Sequence, residues 1–112
     1  MPGATMYGHG NVLFSNVLSL ALSPASVGAN TTAEQTFVVN GLLVGDLVVV
    51  SKPTNQAGIA VVGARVSAIN TLAITFGNWT GGGIVPTAGE RYTLFMARFD
   101  GLNVQPPPAA LV

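Results

Sequence analysis

The sequence predicts an all-β protein: a single antiparallel β-sandwich, jelly-roll-like, with an extended N-terminal arm and a Pro-rich C-terminal tail. Three observations predict it. Apolar residues alternate with small polar ones over short runs, turn-forming Gly, Asn and Pro recur between the runs, and no stretch carries a convincing amphipathic helical period. The 112 residues leave room for one core. A chain this long buries roughly two-thirds of its unfolded surface, enough to fold without covalent staples. The division expected is a lead or arm over 1–26, a sandwich domain over 27–103 and a tail over 104–112.

The elements follow in order. Residues 1–10 hold Pro2 and three glycines and read as an extended lead. Asn11 to Leu22 has no clean period; Val, Leu, Phe and Ser mixed with Asn suit an extended segment at least as well as a helix. Ser23 to Asn30 is a loop, and the strand entered at Thr31 turns Phe37 and Val39 one way and Thr36 and Val38 the other. Asn40-Gly41 and Gly45-Asp46 bracket a short turn. Leu47 to Val50 is a continuous apolar run, expected as a strand covered on both faces. Ser51 to Gly58 is a loop closed off by Pro53.

A hairpin follows, Ile59 to Ser67 and Thr71 to Gly77 around the turn Ala68-Ile69-Asn70. Its expected core face holds Val62, Val66, Leu72, Ile74 and Phe76, and its outer face Arg65, Ser67, Thr71, Ala73 and Thr75. After the loop Asn78 to Glu90, the last strand, Arg91 to Phe99, puts Tyr92, Leu94 and Met96 on one side and Phe95, Ala97 and Phe99 on the other. Both sides want cover, and one core does not serve both. Pro106-Pro107-Pro108 makes a stiff extended tail.

Charge narrows the partners. Charged residues are 7% of the chain, four basic and four acidic, with zero net charge. An ordinary soluble domain carries about 25%. Lys52, Arg65, Arg91 and Arg98 are too few to displace counterions along a nucleic acid, and no helix face is basic enough for a membrane surface. The apolar run Val12 to Leu22 lacks a preceding basic residue and is broken by Ser15, Asn16 and Ser19, so it reads as a folded segment or arm rather than a signal-peptide core. So neutral a surface is poorly protected against association, which favours a protein largely covered in its working state.

No catalytic, metal or cofactor site is expected. His9 is the sole histidine, with no cysteine anywhere and no acidic pair beside it. No serine sits in a Gly-x-Ser-x-Gly setting. Gly81-Gly82-Gly83 lacks the helix and lysine of a phosphate loop. Trp79 reads either as a recognition anchor or as a lid over one end of the sandwich. Glu90 beside Arg91 reads as a solvated strand start.

The stretch from VGANTTAEQTFVVNGLLVGDLVVVSKPTNQAGIAVVGARVSAINTLAITFGNWTGG to IVPTAGERYTLFMARF, residues 27–99, resembles small virion structural proteins of tailed bacteriophages, with ARVSAxNTLAITF its most specific part. The resemblance implies a β-sandwich without a catalytic motif. Among free-standing members it implies a capsid decoration (cement) protein on the outer surface of the head, with the major capsid protein as partner and self-association as a homo-oligomer, a trimer by analogy. The alternative is a tail, neck or fibre subunit of such a particle, and a third reading is a carbohydrate-binding sandwich with Trp79 as platform. Neither nucleic acid nor membrane is an expected partner. The residues expected at protein interfaces are Val12, Phe14, Leu18, Leu20, Thr71, Thr75, Trp79, Phe95 and Phe99. Faces of Thr, Ser and Ala lose little on desolvation, whereas burying a charge costs several kcal/mol per ion.

Overall fold

The computed structural model describes residues 12–99. Six strands run through them: β1 (Val12–Leu22), β2 (Thr31–Val38), β3 (Leu47–Ser51), β4 (Ile59–Ala68), β5 (Thr71–Asn78) and β6 (Glu90–Phe99). They form two antiparallel three-stranded sheets, ordered β1-β6-β3 and β2-β5-β4, with no helix among the described residues. His9 and the tail at 104–112 lie outside the described residues.

The apolar side chains explain the pairing. On β5, Leu72, Ile74 and Phe76 are fully buried, and on β6 so are Tyr92 and Leu94. These two central strands meet through the edge of one ring against the face of another, Phe76 and Tyr92, with centroids 6.4 Å apart and planes at 82°. Met96 of β6 joins them, with Leu22, Val48, Ile59 and Val66 from neighbouring strands, in one core cluster. Where the sheets come together, β3 packs alongside β4.

Four expectations are corrected. Val12–Leu22 is no free arm: it pairs with β6 along its length, from Val12 opposite Phe99 to Leu22 opposite Glu90, and Leu22 and Pro24 are buried. Its period was blurred because both faces mix apolar and polar residues. Val62 and Val66 do not share a face, because a bulge between Val61 and Gly63 turns Val62 outward and hands its place to Val61. Leu47 to Val50 is covered on one face only, with Leu47 and Val49 exposed. The outer face of the hairpin, expected to be polar and uncharged apart from Arg65, carries an ion pair, because Glu34 of β2 reaches Arg65 across β5.

Side-chain amides hold the loops. Asn78 is buried and completely satisfied: its amide nitrogen donates to the Val27 and Gly82 carbonyls (3.0 and 2.8 Å), and its oxygen accepts from the Thr80 amide and hydroxyl (both 2.8 Å). Val27 and Ile84 exchange backbone hydrogen bonds beside it. Gly58 lies against the same loop at φ 82°, where a Cβ would sit 2.3 Å from the Thr80 methyl. Gln35 brackets Ala25, accepting from its amide and donating to its carbonyl, and Gln56 bridges Val85 and Thr87 in the same way. Asn70, at φ 59° in the β4–β5 turn, accepts from the Gly41 amide at 2.7 Å and donates its own amide to the Leu42 carbonyl.

The Tyr92 hydroxyl is buried and finds no partner among the described residues, and burial pushes its ionisation up. Asn78→Ala strips partners from buried backbone groups and is expected to cost about 2–4 kcal/mol in urea denaturation. Tyr92→Phe removes an unsatisfied hydroxyl and is expected to be neutral or to gain about 1 kcal/mol in the same assay.

Candidate functional site: an uncharged sheet face

The register assigns every side chain of the β1-β6-β3 sheet to a face. Phe14, Asn16, Leu18 and Leu20 lie on the same side as Tyr92, Leu94 and Met96, toward the core. The outer side is built in rows. Val17, Phe95 and Val49 stand abreast on the three strands, flanked by Ser15, Ala97 and Leu47 on one side and by Ser19, Thr93 and Ser51 on the other. Val12 and Phe99 extend the face at one end, and Arg91 closes it at the other, donating to the Ser19 hydroxyl at 3.3 Å.

The middle row is open to solvent: Val17 is 63% exposed, Val49 57% and Phe95 38%. Leu47 and Phe99 are exposed by more than half. Scattered exposed apolar residues are ordinary; a contiguous row crossing a whole sheet is a larger patch of the kind that partners cover. With no charge in its three central rows, a partner would meet no ion to desolvate, and each large apolar side chain it covered would be worth up to about 1.5–3 kcal/mol.

The outer face of the other sheet differs. The Arg65 guanidinium grips the Glu34 carboxylate at 2.7 and 2.9 Å, spanning the central strand and leaving Ala73 no exposure. Trp79 folds back over Gly77 and beside Val62, so closely that a Cβ at Gly77 would lie 2.7 Å from its ring. It is therefore no lid on the core, yet it stays 65% exposed. Asn30, Thr31, Thr32 and Asn78 line a shallow hollow beside it. The Asn78 amide on which a sugar site would lean is spent on internal bonds.

The expected interface residues therefore separate. Val12, Phe95 and Phe99 lie on the uncharged outer face; Thr71, Thr75 and Trp79 lie on the outer side of the other sheet; Leu18 and Leu20 pack against the core. Phe14 sits on the core side, half exposed, under the Arg98 guanidinium at 4.8 Å from its ring centroid. Sequence reasoning missed Leu13, Val17, Leu47 and Val49. The signal for two of them was present in the apolar run Leu47 to Val50, read as a doubly covered strand.

Among the described residues most charges are spent in internal ion pairs. Arg98 binds Asp46 through two nitrogens at 2.9 and 2.8 Å and donates to the Gly41 carbonyl at 2.7 Å. Lys52 reaches Glu90 at 2.9 Å, and the Thr54 hydroxyl donates to the same carboxylate. Glu90 thus pairs with a loop rather than standing solvated beside Arg91. Among the described residues no group of three or more His, Cys, Asp or Glu side chains could hold a metal ion. No family model, curated protein or solved structure matches the chain.

The hydrogen bonds from Arg98, from Thr54 and Lys52, and from Arg65 hold the carboxyls of Asp46, Glu90 and Glu34 below their ordinary range. Each binds its proton less readily folded than unfolded, so its contribution is complete above the unfolded pKa of about 4 and is lost as pH falls through the lowered folded value. Thermal melts are expected to be flat from about pH 5 upward and to fall below about pH 4. Asp46→Asn should lower the plateau and flatten the acid limb.

Proposed function

We propose that this protein is a non-enzymatic virion structural subunit, a decoration (cement) protein that coats and strengthens the head of a tailed phage. The two sheets are read as the layers of a sandwich, closed over one core and presenting the β1-β6-β3 outer face to the major capsid protein. The observation that carries this reading is that face: Val17, Phe95 and Val49 abreast, without a charge in the three central rows. The resemblance across residues 27–99 supplies the kind of particle. The intramolecular ion pairs support it too, because they leave little charge for steering small ionic substrates or nucleic acid.

Repetition over a symmetric shell lets many modest contacts add up to firm attachment. The contact needs no deep pocket, only area, and a flat apolar sheet face provides it. A tail, neck or fibre subunit would use the same face against a different neighbour, and imaging of the particle separates the two.

The test uses particles that carry this chain and particles lacking it. Complete particles are expected to withstand heat that opens the bare ones, with the chain seen on the shell. The double variant Val49→Asp/Phe95→Asp should keep its β-rich circular dichroism and fail to stay on particles. Equal heat resistance with and without the protein would overturn the cement reading.

A further inference from the structure

The outer edge of β1 is a feature distinct from the sheet face. Every strand at the border of a sheet carries unpaired amides and carbonyls, and chains protect such borders with charge, proline, bulges or cover. The border strand β2 carries Glu34 and is tied to Ala25 through Gln35. The borders β3 and β4 pack against each other. β1 is eleven residues long, holds neither a charge nor a proline, and among the described residues pairs only through its β6 side. Its one protective feature is a bulge at Leu13, at the far end.

The hydrogen bonding shows which groups face outward. The Val17 amide donates to the side-chain oxygen of its own neighbour Asn16, at 3.0 Å. Val17 therefore turns its backbone to the open border, and by strand alternation Ser15 and Ser19 do the same. The Asn16 side chain occupies the place a partner strand would take.

We propose that the partner strand is β1 of a second copy of this chain, paired antiparallel about a two-fold axis through Val17. The inference rests on reading the protein as a subunit that assembles, and it names the contact between copies. Several features favour a second copy over a foreign strand. A two-fold axis brings like against like, so only a border free of charge pairs with itself without repulsion, and β1 is free of charge. With Val17 opposite Val17 of the second copy, Ser15 meets Ser19 of that copy and the residues facing the core meet each other, so no side chain changes face. The exposed row Val49–Phe95–Val17 then continues into the same row of the neighbour, and two three-stranded sheets become one continuous sheet with one uncharged outer face.

The size of the contact sets its strength. A strand of this length presents an edge roughly 36 Å long. Edge pairing buries less than the roughly 800 Å² per partner of a standard interface, which places the contact among the small, transient ones. A two-fold pair also differs from the three-fold assembly suggested by resemblance alone.

The experiment uses the purified full chain with no particle present, so it stands or falls separately from shell attachment. In sedimentation across the micromolar range, the wild type is expected to shift from monomer to dimer. Val17→Lys should weaken the dimer by roughly tenfold or more while leaving the circular dichroism unchanged, since Val17 lies in the solvent-exposed row. The chain has no native cysteine. Val17→Cys should therefore be captured as a dimer by a short bis-maleimide, whereas Val38→Cys, still more exposed but on the other sheet, should not. A wild type that stays monomeric throughout overturns the proposal. So does a dimer that Val17→Lys leaves intact, a trimer, or equal capture at both cysteine positions.

Discussion

Two central strands meet through one aromatic contact, Phe76 against Tyr92, and the rest of the molecule is arranged around it. Each ring belongs to the middle strand of its sheet, so each border strand is positioned by pairing with a strand that this contact anchors. The orientation, one ring edge-on to the other, suits the ring quadrupoles and leaves the tyrosine hydroxyl inside the core. That the hydroxyl goes unpartnered shows what ranked first there: filling the space between the sheets mattered more than satisfying one polar atom.

A chain with so few charges uses them as ties. Asp46 and Arg98 join the loop before β3 to the end of β6, and Lys52 and Glu90 join the loop after β3 to its start. Glu34 and Arg65 lash β2 to β4 across β5. The first pair is well sheltered, with its Asp46 side chain only 3% exposed, and it also satisfies the Gly41 carbonyl. The Glu34–Arg65 pair lies open to water, where such pairs contribute little to stability. Its clearer effect is steric, since it closes the surface over Ala73. The ion pair thus covers the middle of one sheet face, while the middle row of the other stays open.

Much of this was legible along the sequence, and the failures have physical causes. The alternation in Thr31–Val38, Thr71–Asn78 and Glu90–Phe99 was clear because one side of each strand meets the core throughout. In β4 the alternation was broken by a bulge that no local residue signals, so Val62 was placed inward. β1 hid its nature because its core side includes Asn16 and its outer side includes Val17. The doubly apolar strands β3 and β6 were read correctly as chemistry and incorrectly, for β3, as cover: sequence tells what a face is made of, not whether the same chain reaches over it. The ion pairs join residues 31 to 52 positions apart, and no local pattern reveals those.

The hold of Asn70 on the Gly41 amide bears on how the protein ages. An asparagine followed by glycine is the dipeptide most prone to spontaneous deamidation, which begins when the glycine nitrogen attacks the asparagine side-chain carbonyl. Asn40-Gly41 is such a dipeptide, and it sits exposed in a turn. Here the N–H that must be given up for that attack is held in a hydrogen bond by Asn70 at 2.7 Å. The same bond that docks the β4–β5 hairpin onto the 39–42 turn therefore guards a chemically labile position. The turn gains chemical durability from that bond as well as shape.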